Sequence, residues 1–144
     1  KLNRMAMEQV FIIDDDKANN YLCKLVLEDC GIKPQTVYSF YLVNEALNTL
    51  HHAVEVNANF PDLILLDINL PGADGWDFLT HFRNFPIPLR EHTKIFMLSS
   101  SISPDDIERS KTYPEIIEFL PKPLTTELVE RIVSEHFSNS RYQA

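Results

Sequence analysis

Short apolar runs alternate along the chain with longer segments in which apolar residues recur at helical spacing. Each run is mostly apolar and is bounded by turn-forming or acidic residues, which is typical of a strand buried in a parallel sheet. Such runs occupy residues 9–13, 36–40, 63–66, 94–98 and 116–120. The pattern therefore predicts five buried strands.

The segments that separate and follow these runs predict five helices. In the first, apolar residues follow the i, i+3, i+4, i+7, i+8 pattern, and Gly31 stands at the position of a C-terminal cap. We therefore expect its core-facing residues to be Ala18, Tyr21, Leu22, Leu25 and Val26. The second helix repeats the pattern over residues 43–54, and the third lies around Trp76 and ends before Pro86.

Capping signals mark the beginning of the last two helices. Ser103 supplies an N-cap hydroxyl, Pro104 suits the first helical position, and acidic residues follow in the first turn. Apolar residues are few in this fourth helix, so we expect it to be held loosely against the rest of the domain. The fifth helix follows capping-competent threonines, carries apolar residues from Leu124 onward and ends near Phe137.

Strands that alternate with helices predict the α/β class, here a doubly wound parallel sheet with right-handed crossovers. Ligands of such sheets bind beyond the carboxyl ends of the strands, at the point where the strand order reverses. We divide the chain into an N-terminal extension or cloning remnant at residues 1–8, one domain at 9–138 and a tail at 139–144. The residues after Pro123 suffice for one helix, so we expect no output domain.

Composition narrows the class of protein and its partners. The 144 residues are 44% hydrophobic and 24% charged, which excludes a disordered tail or a disulfide scaffold. The net charge of −8, without clustering of the basic residues, opposes direct binding to nucleic acid or to an anionic membrane. The apolar runs are too short to span a membrane, and Asp14 ends the first of them too early for a signal peptide. We therefore expect a cytoplasmic protein in which Cys23 and Cys30 are buried, reduced thiols.

Chemically active side chains follow four of the five predicted strands. Asp14 and Asp15 come after the first strand, Asp67 after the third, Ser99 after the fourth and Lys122 after the fifth. Because the carboxyl ends of parallel strands meet at one edge of the sheet, these side chains should converge. Carboxylates held a few ångströms apart repel one another, so a site that keeps them ionised needs a cation, and hard oxygen ligands suit Mg²⁺.

Four strings at these strand ends together resemble the receiver domain of two-component response regulators. They are VFIIDDD at residues 10–16, PDLILLDINLPGADG at 61–75, IFMLSS at 95–100 and FLPKP at 119–123. Each string is weak alone, but their order and their places at strand ends make the combination specific. The resemblance extends through nearly the whole chain and is to a stand-alone, CheY-like domain. It implies a flavodoxin-like sheet of five parallel strands in the order 2-1-3-4-5, with five helices.

The resemblance also implies a role for each acidic residue. It makes Asp67 the phosphoacceptor and makes Asp14 and Asp15 the acidic pair of the site. The metal ligands would be Asp15, Asp67 and the backbone carbonyl of Asn69, with Asp14 acting through water. Mg²⁺ is the implied ion, and Mn²⁺ is expected to replace it.

Three further residues would sense the phosphoryl group in such a domain. Lys122 would pair with one phosphoryl oxygen, and its bond to Pro123 is typically cis in the family. Ser99, which stands where threonine is usual, would donate its hydroxyl to another oxygen. Phe119 occupies the position of the switch aromatic, often tyrosine, and would turn between exposed and buried rotamers; an ordinary strand-core role is the alternative. The surface formed by the fourth helix, fifth strand and fifth helix would then repack.

The function implied is a phosphorylation-dependent signalling switch. It would receive its phosphoryl group from a sensor histidine kinase or a histidine phosphotransfer protein, and act on a separate target protein or on a second copy of itself. A relay intermediate that passes phosphoryl groups between histidines is the nearest alternative. Beyond self-phosphorylation from small donors and autodephosphorylation, no enzyme activity is expected.

Two other classes fit the residues less well. A haloacid-dehalogenase-type phosphatase also uses an aspartate nucleophile at a strand end with Mg²⁺, but it needs a second acid two residues later, where Asn69 stands. A pseudo-receiver would bind partners without phosphorylation. The intact set of Asp15, Asp67, Ser99 and Lys122 argues against it.

Overall fold

The structure is a computed structural model that describes residues 7–70 and 72–137. The expected C-terminal tail at residues 139–144, most of the expected N-terminal extension, and Pro71 of the second string lie outside the described residues.

The described residues form one sheet of five parallel strands in the order β2-β1-β3-β4-β5. The strands are β1 (Val10–Ile13), β2 (Val37–Phe40), β3 (Leu63–Asp67), β4 (Lys94–Ser99) and β5 (Ile116–Pro121). Every residue of β1 and β3 is buried, as expected for strands covered on both faces. The fold class and the strand order implied by the sequence are confirmed.

Six α-helices connect and follow the strands in the described part of the chain, whereas the sequence predicted five. They are α1 (Lys17–Asp29), α2 (Val43–Glu55), α3 (Gly75–Phe82), α4 (Ile87–His92), α5 (Pro104–Ser110) and α6 (Thr126–His136). The additional helix is α4, and Pro86, read from the sequence only as a stop signal, is its N-cap. Its six residues are too few to display helical periodicity, and none of them is buried.

Helices cover both faces of the sheet and divide the core into two apolar clusters. On one face, strand residues such as Val10 and Leu65 pack with Leu27 of α1 and Ile132 of α6. On the other face, Phe11, Ile64 and Met97 pack with residues of α2 and α3. None of the helices in the described ranges combines the length and the apolar character needed to cross a membrane.

The inward face of α1 differs from the one predicted. Its buried residues are Asn19, Asn20, Cys23 and Leu27, and Val26 is partly buried. By contrast, Tyr21, Leu22 and Leu25 are 64%, 48% and 40% exposed, and Ala18 is exposed as well. Apolar spacing therefore indicated the wrong face of α1, because two of the four buried positions are polar.

Both cysteines are buried and free, as predicted. Burial raises the pKa of Cys23 to about 12 and that of Cys30 to about 11. These thiols therefore stay protonated and unreactive at neutral pH.

The helix that begins after Ser103, for which the sequence predicts a loose attachment, contributes no buried residue to the core. This helix is α5; Ser103 caps it by accepting a hydrogen bond from the Asp106 backbone N–H at 3.1 Å. All seven residues of α5 are described, and none of them is buried. Ile107, its one large apolar residue, is 43% exposed.

Candidate functional site

Three carboxylates meet at the C-terminal edge of the sheet. Asp14 and Asp15 directly follow β1, and Asp67 is the last residue of β3, its neighbour in the sheet. One carboxylate oxygen of each residue lies within 4.8 Å of those of the other two. Asp14 is fully buried and Asp67 nearly so, whereas Asp15 is exposed. The cluster therefore opens to solvent on the side of Asp15.

Lys122 bridges two of these carboxylates. Its Nζ lies 2.9 Å from Oδ2 of Asp14 and 3.5 Å from Oδ2 of Asp67. The backbone N–H of Lys122 donates to the carbonyl oxygen of Ser99 at 2.9 Å, and its bond to Pro123 is cis. The end of β5 thus delivers the lysine to the acidic cluster.

The electrostatic environment makes the Asp67 carboxyl less acidic than usual. Burial is the largest cause and the charge of Asp14 the next, and although Lys122 acts in the opposite direction, the pKa of Asp67 rises to about 6. Burial lowers the pKa of Lys122, but its hydrogen bonds with Asp14 and Asp67 and their charges outweigh burial and raise it. This environment disfavours the ionised form of Asp67, and a cation bound beside the carboxylate would stabilise that form.

The donor atoms of this cluster fit a hard divalent cation. Mg²⁺ takes carboxylate, carbonyl and water oxygens, and it usually keeps several of its waters. Asp15 and Asp67 offer carboxylate oxygens, and Asn69, exposed just after β3, offers its main-chain carbonyl. The exposure of Asp15 leaves the cluster accessible to the waters that Mg²⁺ retains.

The start of α3 is pressed against the backbone of Asp67. A Cβ atom on Gly75 would lie 2.6 Å from the Asp67 carbonyl oxygen, so only glycine fits there. The next residue, Trp76, is buried, and its ring centre lies 5.3 Å from that of Tyr113. The guanidinium carbon of Arg109 in α5 lies 4.7 Å from the centre of the Trp76 ring. Adjacent residues of α3 therefore contact the backbone of Asp67 and helix α5.

Of the two expected switch residues, Ser99 is the last residue of β4 and Phe119 lies within β5. Ser99 is buried, but its Oγ donates to the carbonyl oxygen of Ser101 at 2.7 Å and accepts from the Ser101 N–H at 3.0 Å. Phe119 is partly buried and packs against the apolar cluster that also contains Met97. The Ser99 hydroxyl is thus hydrogen-bonded to the backbone of its own loop.

Two asparagines of α1 belong to the site and were missed by sequence analysis. The side-chain amide of Asn19 donates to Oδ2 of Asp14 at 2.7 Å. That of Asn20 donates to the main-chain oxygens of Asp14 at 2.6 Å and of Asp16 at 3.3 Å. The available signal was the pair of asparagines within the first turn after Asp16, which is the N-cap of α1.

A second group of potential metal ligands lies away from this edge, at Glu118, Glu135 and His136. Arg131 is bonded to both glutamates, to Glu135 at 3.0 Å. Since the guanidinium already pairs with both carboxylates, we assign the group to a surface salt-bridge network and not to a metal site.

Comparisons with known proteins agree with this geometry. The family model described as "Response regulator receiver domain" matches residues 10–134. The cyclic di-GMP phosphodiesterase response regulator RpfG of Xanthomonas campestris pv. campestris is 30% identical over 80% of this chain. This chain spans 28% of that relative's length, so the stand-alone organisation stays a prediction.

Two further similarities cover most of both proteins. Sporulation initiation phosphotransferase F of Bacillus subtilis is 25% identical over 92% of this chain and 95% of its own length. The crystal structure of a two-component response regulator from Cytophaga hutchinsonii is 25% identical, with a TM-score of 0.77 over 92% of this chain and 98% of the other. Because the family model matches residues 10–134, nearly the whole length of the chain, this chain belongs to the response regulator receiver domain family.

Proposed function

We propose that this domain is a phosphorylation-dependent signalling switch whose phosphoacceptor is Asp67. The observation that carries the proposal is the position of Asp67 at the end of β3, with its carboxylate in one cluster with Asp14, Asp15 and Lys122. Its partner would be a histidine kinase or a histidine phosphotransfer protein, which would supply the phosphoryl group. The downstream target would be a separate protein or a second copy of the domain.

The chemistry is a transfer between a histidine nitrogen and a carboxylate oxygen. An oxygen of ionised Asp67 would attack phosphorus, the bond from phosphorus to the donor nitrogen would break, and the nitrogen would keep the electron pair. The product would be an acyl phosphate, which water later hydrolyses to the carboxylate and inorganic phosphate. The domain would therefore turn over only its own phosphoryl group.

Mg²⁺ would be held by Asp15, Asp67 and the main-chain carbonyl of Asn69, with Asp14 acting through water. When bound, the ion would supply positive charge that lets an anionic donor approach an anionic nucleophile. The exposure of Asp15 and Asn69 supports this assignment, because both are accessible to a hydrated ion. Mn²⁺ should substitute for Mg²⁺.

Lys122 and Ser99 would read out the phosphoryl group. Lys122 already lies 3.5 Å from the Asp67 carboxylate, so a phosphoryl oxygen attached there would come within its reach. Ser99 would have to exchange its bond with Ser101 for one to the phosphoryl group. That exchange would move the loop that leads into α5 and allow Phe119 to turn inward.

A relay intermediate is a second candidate function. It is favoured by the similarity to a sporulation phosphotransferase over almost the whole of both chains. A relay and an output switch share the site and differ in the fate of the phosphoryl group. A relay should pass its label to a histidine phosphotransfer protein, and an output switch should retain it.

Labelling with acetyl phosphate tests the proposal directly. The wild-type chain, resolved on a phosphate-affinity gel, should accept about one labile phosphoryl group with Mg²⁺ and none with EDTA. Asp67→Asn keeps the shape of the side chain and removes the nucleophile, so labelling should be lost. Unchanged labelling of this variant, or repeated hydrolysis of a phosphate monoester by the wild type, would contradict the proposal.

Asp15→Asn should weaken Mg²⁺ binding by about tenfold or more, and more than Asp14→Asn does, since Asp15 would be a direct ligand. Asp16→Asn is the matched control. Asp16 stands next in the chain but lies outside the carboxylate cluster, and asparagine caps a helix as well as aspartate. If neither Asp15→Asn nor Asp16→Asn changes the midpoint of a Mg²⁺ titration, the proposed coordination is wrong.

A further inference from the structure

Asn19 is one of three groups that hold the Asp14 carboxylate. It is the third residue of α1 and is only 6% exposed. Its amide nitrogen lies 2.7 Å from Oδ2 of Asp14 and 3.7 Å from the sulfur of Cys23. The short distance to the carboxylate is typical of a strong, charge-assisted hydrogen bond.

Both oxygens of the Asp14 carboxylate are engaged. Oδ1 accepts from the backbone N–H of Asp16 at 2.9 Å, and Oδ2 receives both the amide of Asn19 and the ammonium of Lys122. The Asn19 donor is neutral and stands on a helix, whereas Lys122 has a long side chain whose Nζ is shared with Asp67. Of these two side chains, Asn19 is the better suited to fix the direction of the carboxylate.

We propose that Asn19 is a positioning residue for the phosphorylation site. By holding Oδ2 of Asp14, its amide fixes the carboxylate at the place where it meets Lys122 and faces the oxygens of Asp15 and Asp67. This inference rests on the proposed function, in which that space receives Mg²⁺ and the phosphoryl group. Without Asn19, only the Asp16 N–H and the mobile ammonium of Lys122 would hold the Asp14 carboxylate, and the position of its Oδ2 would be less well defined.

The chain provides its own control in Asn20. This residue has the same side chain, is 2% exposed and follows directly in α1. Its amide holds the main-chain oxygens of Asp14 and Asp16 and not a carboxylate. Loss of either asparagine removes a buried hydrogen bond, but only Asn19 contacts the side chain that faces the cluster.

The experiment compares Asn19→Leu with Asn20→Leu. Metal affinity is measured with Mn²⁺ by electron paramagnetic resonance and by competition with Mg²⁺, and stability by urea unfolding in EDTA. Both variants should be less stable than the wild type. Only Asn19→Leu should also weaken the affinity for Mn²⁺ and Mg²⁺, by about tenfold, as removal of a residue that orients a site carboxylate typically does. Asn19→Ser, which is smaller and whose hydroxyl does not reach Asp14, replaces Asn19→Leu if that variant does not fold.

Each outcome decides the matter. Equal metal affinity of the two variants, whether reduced or unchanged, would overturn the inference and leave the proposed function standing. Failure of the wild type itself to bind either ion would overturn the proposed function, and this inference with it. A loss of metal affinity specific to Asn19 supports the positioning role, because a merely structural role would lower only the free energy of unfolding.

Discussion

The two sides of the site are held very differently. On the side of β1 and α1, residues 10–29, the Asp14 carboxylate accepts hydrogen bonds from three groups, and four helix residues are buried. On the side of β4 and α5, residues 94–110, the hydroxyl of Ser99 bonds within its own loop, to Ser101, and α5 contributes no buried residue. Its contact with Trp76 is made by Arg109 at the surface.

This difference indicates that the two sides of the site have different roles. In the proposed function, a fixed β1–α1 side would keep the acidic groups in place for metal binding and phosphoryl transfer, tasks that depend on preorganised geometry. A β4–α5 side with few buried contacts would change its packing at low cost, as the proposed report of the state of Asp67 to a partner requires. Hydrogen exchange, ligand response and stability each test that contrast.

The largest expected effect is on hydrogen exchange in the unphosphorylated protein. Backbone amides near Cys23 and Leu27 of α1 should be protected at least about 100-fold more than those near Ile107 of α5, because only the former are covered by the core. Native-state exchange followed by NMR measures both in one sample. Equal protection of the two helices would remove the basis of the comparison.

A smaller effect is expected when the β4–α5 side loses the hydroxyl of Ser99. Beryllofluoride with Mg²⁺ mimics the phosphoryl group, and it should shift NMR signals throughout residues 103–122 of the wild type. Ser99→Ala should lose much of this long-range response, since a hydrogen bond to a charged group contributes about 2 kcal/mol.

Ser101→Ala is the control for this experiment. Both hydrogen bonds between Ser99 and Ser101 use backbone atoms of Ser101, so replacing the Ser101 side chain leaves them intact. Its response to beryllofluoride should match that of the wild type. Shifts confined to the loops around Asp67 in the wild type would contradict the assignment of the β4–α5 side as the responsive one.

The smallest expected effect concerns stability and pH without metal. The pKa of Asp67 is raised to about 6, above its unfolded value of about 4. Its protonation therefore stabilises the fold fully below pH 4, and that contribution is lost as the pH rises through 6. Asp67→Asn, which carries no charge, should be more stable than the wild type at pH 7 by about 1–2 kcal/mol.

Asp14→Asn provides the contrast, because it would turn an amide toward the donors of Asn19 and Lys122 and should lower stability at the same pH. Urea unfolding in EDTA at pH 5 and pH 7 measures both variants. If both variants raise the stability at pH 7, the Asp14 carboxylate is not stabilised by its bonds to Asn19 and Lys122.

The sequence determined the sheet and the identity of the groups at its edge. Short buried strands can be recognised from local composition. Because all five strands are parallel, the residues at or just beyond their carboxyl ends reach the same edge of the sheet. These residues are Asp14, Asp15, Asp67, Ser99 and Lys122. The exposure of α5 could also be predicted, since a helix with few apolar residues cannot bury a face.

The tertiary structure decided which face of α1 points inward and how the site's polar atoms are paired. Apolar spacing selected Tyr21 and Leu22, which are exposed, because periodicity registers hydrophobic residues and not buried polar ones. Asn19 and Asn20 are buried since Asp14, at the end of a strand, accepts their hydrogen bonds. These hydrogen bonds depend on distances and burial, which exist only once the chain has folded. The same holds for the contacts of Lys122 with two carboxylates and for the raised pKa of Asp67.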